Sequence, residues 1–282
     1  LFTRLLASIR LLRPNNMLMI GATALLGFYL GGGEWLSWRA LFTALAIALV
    51  SGAGYTANDL VDLPIDRLNR PTRPLPSGKV TTTTARAQYI IVNLIAVGLG
   101  IYLGWSELLF IAILIAACLV YSFWLKLRAP WGNLTVAVLT AASLPFGALS
   151  ARGLGGWLII PTLLAFLLNL AREIFKDVED ASGDQVMQAR TLPLLLGSRS
   201  AMRWGGITLL AFAVCAIGLY FQNHWSLYYL AIIVPLGALP ATLTALFTFI
   251  RPQPARCGLI QRGIKLLMLA TLIAIIVGYN WR

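Results

Sequence analysis

All six aspartates of this 282-residue chain fall in two clusters, Asp59, Asp62 and Asp66 in one and Asp177, Asp180 and Asp184 in the other. Both clusters step by three residues and then by four. On a helix that step sets three carboxylates on one face. Glu173 and Glu179 join the second cluster, so eight of the ten acidic residues lie in two short stretches. Grouped like charges repel unless something neutralises them. Hard carboxylate oxygens suit Mg2+, which keeps several waters and binds one or two carboxylates together with substrate phosphates. Two such clusters are expected to hold two or more magnesium ions around a diphosphate. Solvated loop acids paired with nearby Arg and Lys are the plainer alternative, and that leaves the repeated spacing unexplained. Calcium is disfavoured because no EF-hand loop pattern is present. Pro64 lies between Asp62 and Asp66 and is expected to kink or end the helix, so that Asp66 projects from a turn.

Basic residues are interleaved with these acids. Arg67 follows Asp66, and the stretch from Asn69 to Lys79 is stiff, proline-punctuated and strongly basic. Fork-shaped guanidinium groups match phosphate oxygens. Lys126 and Lys176 add charge for a leaving diphosphate. Arg70, Arg128 and Arg190 are explained as well by a role as membrane anchors. His224 is expected on the opposite side from the clusters, as an interfacial residue and a poor general base. Cys118, Cys215 and Cys257 have no metal-ligand spacing, so neither a disulfide framework nor zinc is expected.

The elements that must carry these residues are apolar. The chain is 59% hydrophobic and 11% charged, against about 25% charged for soluble domains. A bilayer-spanning helix needs about 20 mainly apolar residues. Nine candidate runs lie near 16–31, 39–57, 85–104, 107–125, 132–150, 157–174, 200–221, 226–250 and 261–281, with long loops at 58–84 and 175–199. With nine spans and the N-terminus cytoplasmic, 19 of the 22 basic residues fall on the cytoplasmic side, leaving Arg39, Arg152 and Arg282 outside, as the positive-inside rule requires. The net charge of +12 therefore reads as topology anchoring and not as nucleic-acid binding. Trp35, Trp38, Trp105, Trp157, Trp225 and Trp281 fall at outer span ends and read as an aromatic belt. The first apolar run leads straight into further spans, so no cleavable signal peptide is expected. The reading is an all-α integral protein of the cell membrane, nine transmembrane helices in a single domain over 1–282. Its N-terminus and acidic loops are cytoplasmic and its C-terminus is outside.

The stretch Asn58-Asp59-Leu60-Val61-Asp62-Leu63-Pro64-Ile65-Asp66-Arg67, continuing to Arg73-Pro74-Leu75-Pro76-Ser77-Gly78, resembles the first signature of the UbiA superfamily of intramembrane prenyltransferases. Arg172-Glu173-Ile174-Phe175-Lys176-Asp177-Val178-Glu179-Asp180, then Gly183-Asp184, resembles the second. The resemblance covers essentially the whole chain. It implies a helix bundle around a central cavity open sideways to lipid and capped by the two motif-bearing loops. It also implies Mg2+-dependent transfer of a prenyl group from an isoprenoid diphosphate to a lipid-soluble acceptor. By position, Asn58, Asp62 and Asp66 match the first metal and diphosphate site, with Asp59 beside them as a further ligand candidate. Asp177, Asp180 and Asp184 match the second. Asp62, Asp66, Asp180 and Asp184 are the candidate catalytic carboxylates. Arg67, Arg73, Lys126 and Lys176 correspond to diphosphate contacts, Tyr121 to a position near the diphosphate, and Asn16 to an asparagine facing the cavity. The wording of both motifs is most similar to members that add a second geranylgeranyl chain to geranylgeranylglyceryl phosphate. Members that prenylate homogentisate or a chlorophyllide carry related wording, and prenylation of an aromatic acceptor of the 4-hydroxybenzoate, homogentisate or chlorophyllide type is the alternative activity.

Two other classes fit less well. A transporter would place ionisable residues at mid-helix, whereas these acids lie at span ends. A CDP-alcohol phosphotransferase would show an Asp-Gly followed by Ala-Arg context, which is missing.

Overall fold

The computed structural model describes residues 2–186, 188–223 and 225–280. The expectations placed on His224, Trp281 and Arg282 lie outside the described residues. Fourteen α-helices follow one another in the described chain: α1 Phe2–Leu11, α2 Pro14–Leu30, α3 Trp38–Val61, α4 Leu63–Asn69, α5 Thr82–Leu103, α6 Trp105–Val120 and α7 Trp131–Ala141, then α8 Ser143–Ser150, α9 Ile159–Val186, α10 Leu192–Leu196, α11 Ser198–Asn223, α12 Leu227–Ile233, α13 Leu239–Ile250 and α14 Cys257–Asn280. Wider π-helical turns occupy Tyr121–Leu125 and Val234–Ala238. Local chemistry sets several starts. Ser37 accepts a hydrogen bond from the Ala40 N–H and Thr81 from the Thr84 N–H, the N-cap arrangement that satisfies an orphan donor.

Eight helical stretches of the described residues are long and apolar enough to cross a membrane. The first expected run appears as α2, whose 17 residues extend about 26 Å, the lower end of spanning length. Two boundaries differ from the sequence reading. Helix α9 continues to Val186, so the second acidic cluster is helical and not part of a loop. Helix α1 was not foreseen, because ten residues are too short to register as a span.

The chain divides into two compact units, residues 1–124 with 143–154, and residues 125–142 with 155–282. In the first unit, α3 packs against α2, α5 and α6, and α2 packs against α8. The α2–α8 contact is close enough to need glycine. A Cβ on Gly27 would stand 2.0 Å from the Leu144 carbonyl oxygen, and one on Gly147 would stand 1.9 Å from that of Ala24. Small residues that let backbones approach are the usual currency of helix packing in lipid. At the start of α3, Arg39 donates to the Ser150 carbonyl at 2.7 Å, the Leu103 carbonyl at 2.8 Å and Glu107 Oε1 at 2.7 Å. Ser106 donates to the other Glu107 oxygen. Removing a buried partner leaves its mate's desolvation uncompensated. Glu107→Ala is therefore expected to lower stability by about 1–3 kcal/mol, read as a lower melting midpoint in detergent with unchanged activity in the protein that remains folded.

In the second unit, α9 packs against α7, α11 and α14, α11 against α13, and α12 against α14. Trp225 departs from the aromatic-belt reading. It is 3% exposed, stacked edge-on against Tyr229 at 4.9 Å and pressed against Gly278, so it belongs to the packing between helices. Trp35, Trp38 and Trp105 are exposed.

Candidate active site

The first acidic cluster straddles the break between α3 and α4. Helix α3 ends at Val61, and Asp62 caps both helices while the Asp62 N–H still bonds to the Asn58 carbonyl and the Asp66 N–H to the Asp62 carbonyl. Pro64 stands in the first turn of α4, where its missing N–H costs nothing. Asp66 is thus held on a short helix and does not project from a turn. Asp59, Asp62 and Asp66 are all buried. Arg13 donates to Asp59 at 2.6 Å and lies 4.8 Å over the Tyr55 ring. Arg73 reaches Asp66 at 2.5 Å and Asp59 at 3.8 Å. The loop that carries Arg73 is anchored by Leu75 and Val80, which pack with Ala7, Leu11 and Ala85. Gly78 turns that loop with φ 72°, a conformation glycine adopts without strain. Burial pushes the Asp66 carboxyl above the usual aspartate range, with Arg73 pulling it back and Asp62 and Asp59 adding to the rise.

Asn58 donates from Nδ2 to Asp62 at 2.8 Å, while its Oδ1 is buried with no hydrogen-bond partner. A neutral amide oxygen aligned with a buried carboxylate is a donor set that suits a hard divalent cation. Among the described residues no three acidic, histidine or cysteine side chains converge on one point; Arg13 and Arg73 hold Asp59 and Asp66. Of the other candidates in this unit, Arg67 is exposed on α4, Asn16 is half-buried in the first turn of α2, and Tyr121 is half-buried in a π-helical turn.

The second cluster rides one continuous helix. Along α9, Asp177, Asp180 and Asp184 share a face because no residue breaks the helix before Val186. Asn133, on α7, donates to Asp177 at 2.7 Å. Glu173 is buried and accepts from Arg172 at 2.6 Å and from Lys176 at 3.0 Å. Glu179 turns to another side, where it accepts from Gln261 and fills the space beside Gly258. The segment after α9 folds back on the one before α7. The Ala129 N–H bonds to the Arg190 carbonyl and the Arg190 N–H to the Leu127 carbonyl, which brings Lys126 within electrostatic reach of Asp184, together with Lys176.

Residues 20–279 match the model of the UbiA prenyltransferase family. The chain belongs to that family. It is 34% identical over 279 residues to the digeranylgeranylglyceryl phosphate synthase of Pyrococcus horikoshii, covering 96% of this chain and 95% of that protein. A solved structure concerned with digeranylgeranylglyceryl phosphate synthase in membranes superposes with TM-score 0.78 at 24% identity, over 98% of each chain. A UbiA homolog from Archaeoglobus fulgidus bound to GPP and Mg2+ superposes with TM-score 0.71 at 20% identity, over 96% of this chain and 99% of that one. Both structural likenesses are of fold.

Three neighbours of the acids in this UbiA chain escaped the sequence reading as partners. From the sequence Arg13 reads as one of the cytoplasmic anchors, yet it neutralises Asp59. Glu173 was one more acid in a cluster, yet it gathers two cations. Asn133 passed unnoticed, although an asparagine near the start of an otherwise apolar run was a usable signal, since buried amides need partners. Residues that orient a metal-binding carboxylate typically affect affinity 10- to 100-fold. Asn133→Ala is accordingly expected to weaken Mg2+ binding about 10- to 100-fold, read as a rightward shift of the magnesium dependence with the maximal rate largely kept.

Proposed function

We propose that the chain is a magnesium-dependent intramembrane prenyltransferase that moves a geranylgeranyl group from its diphosphate to the free hydroxyl of geranylgeranylglyceryl phosphate. The observation that carries this reading is the pair of aspartate clusters with one spacing. The first is buried, with Arg13 and Arg73 as ion-pair partners and an orphaned amide oxygen at Asn58. The second is half-buried along α9, within electrostatic reach of Lys126 and Lys176. Support for the acceptor comes from the name of the Pyrococcus horikoshii relative, and for the ion and donor from the GPP and Mg2+ bound by the Archaeoglobus fulgidus homolog. Asn58, Asp59, Asp62 and Asp66 would hold magnesium in the first unit and Asp177, Asp180 and Asp184 in the second. Bound there, magnesium neutralises the diphosphate oxygens and polarises them for departure. Arg67, Arg73, Lys126 and Lys176 would take the growing negative charge as the allylic C–O bond breaks, with Tyr121 near the diphosphate and Asn16 facing the cavity, as the family resemblance implies. The acceptor oxygen then bonds to the allylic carbon, and its proton passes to a carboxylate not engaged with metal. Apolar helices around the site keep water from capturing the cation first.

The same reading makes the 282 residues one catalytic domain with nine spans around a central cavity, α2 included, and puts the N-terminus and both clusters on the cytoplasmic side. The distribution of basic residues supports that sidedness. The acceptor is tested by supplying purified protein in liposomes with Mg2+, labelled geranylgeranyl diphosphate and, in turn, geranylgeranylglyceryl phosphate, homogentisate, 4-hydroxybenzoate and a chlorophyllide. Labelled ether lipid is the expected product. Label on an aromatic ring would move the chain to quinone or pigment synthesis and overturn the acceptor assignment.

A further inference from the structure

The polar stripe of α9 continues beyond the aspartates toward the apolar part of the helix. Asn169, Arg172, Lys176, Asp180 and Asp184 follow one another at steps of three or four residues and so share a face. Arg172 precedes Asp177 by five residues and Asp180 by eight, which sets it about 8 and 12 Å further along the helix, on the apolar side of the carboxylates that would carry metal. An arginine at such a depth is costly and ordinarily has a partner. Here the guanidinium is only partly matched. Its side chain is 20% exposed, Nη1 donates to Glu173 at 2.6 Å, and Nε is buried with no hydrogen-bond partner. Glu173 is also shared with Lys176 at 3.0 Å, so two cations draw on one carboxylate. The side chain is held in place by Glu173 and still has an N–H to give.

We propose that Arg172 binds a phosphate oxygen of the acceptor and thereby sets a preference for a phosphorylated over a neutral acceptor. The inference rests on the reading above that the acceptor is a lipid glycerol phosphate. The reading above gives the prenyl diphosphate its own cations, Lys126 and Lys176, both within electrostatic reach of Asp184, with Lys176 one turn along α9 from Arg172. A glycerol phosphate brings a second anion on the carbon beside its reacting hydroxyl. That anion must be held close to the diphosphate without sharing its ligands, because like charges in a water-poor space repel strongly. A guanidinium anchored at one nitrogen and unpaired at another offers phosphate a directed, charge-assisted hydrogen bond. The dephosphorylated alcohol would have no anion to offer it.

The test compares the parent protein with Arg172→Gln and Arg172→Lys in liposomes. It uses geranylgeranyl diphosphate as donor and either geranylgeranylglyceryl phosphate or its dephosphorylated alcohol as acceptor. Loss of one charged hydrogen bond corresponds to about a 10- to 100-fold fall in kcat/KM. Arg172→Gln is expected to show that fall for the phosphorylated acceptor alone, with the KM for geranylgeranyl diphosphate and turnover of the alcohol unchanged, and with partial recovery in Arg172→Lys. A raised KM for the diphosphate would assign the contact to the donor and overturn the proposal. Equal loss with both acceptors would make Arg172 a packing residue and overturn it as well. If the parent protein used neither glycerol acceptor while still prenylating an aromatic one, the acceptor reading itself would fail and the role of Arg172 with it.

Discussion

Asp62→Asn and Asp180→Asn each lower prenyl transfer about a thousand-fold, and neither lowers the melting midpoint measured without metal. The first half follows from the chemistry assigned to the clusters. Charge stabilisation by a bound divalent ion contributes several kcal/mol to a departing phosphate, and each 1.36 kcal/mol is tenfold in rate. The second half follows from burial. Asp62 lies beside Asp59 and Asp66, all three buried, so an isosteric amide at that position removes like-charge repulsion and keeps the shape. A site arranged for function commonly costs stability in this way. The parent protein gains midpoint when Mg2+ is added, because a ligand that binds only the folded state stabilises it; both variants lose most of that gain. Thermal scans with and without Mg2+, beside the transfer assay, check all parts at once. Variants that melt far below the parent in EDTA would mean that the carboxylates are there for packing.

The largest effect on stability is expected at Gly27 and Gly147. A Cβ at either position would sit about 2 Å from a carbonyl oxygen of the facing helix, Leu144 in one case and Ala24 in the other. No rotamer relieves this, because the clash is between Cβ and backbone, so α2 and α8 must move apart. Overpacking a tight contact costs about 1–3 kcal/mol and occasionally more, and the upper end is expected for Gly147→Ala. Gly98 provides the control. A Cβ there meets nothing within 4 Å, so Gly98→Ala should leave the midpoint unchanged or slightly raised, as for an exposed helix position. Detergent thermal unfolding of the three variants decides the matter. Equal behaviour of Gly147→Ala and Gly98→Ala would contradict the close approach of α2 and α8.

The contrast between what could and could not be read in advance has physical causes. Apolar runs of membrane length announce themselves by composition, and the eight long helices among the described residues coincide with apolar runs of the sequence. The face shared by Asp177, Asp180 and Asp184 follows from periodicity alone. Contacts across the chain do not. Nothing local says that Arg13 must meet Asp59, 46 residues away, or Asn133 meet Asp177, 44 away. Trp225 looked interfacial from its place at a span end, yet the outcome depended on Gly278, more than 50 residues later, leaving room for its ring. Pro64 misled for a subtler reason. The same residue that breaks a helix interior is well placed in the first turn of a new one, and the sequence does not say which applies until the break at Asp62 is seen.

One measurement bears most directly on the central claim: transfer of label from geranylgeranyl diphosphate to geranylgeranylglyceryl phosphate by the purified chain in liposomes, with Mg2+, after EDTA, and after Mg2+ is restored. The account predicts labelled ether lipid that disappears with EDTA and returns with the metal. Folded protein that forms no such product, or forms it equally well in EDTA, would contradict it.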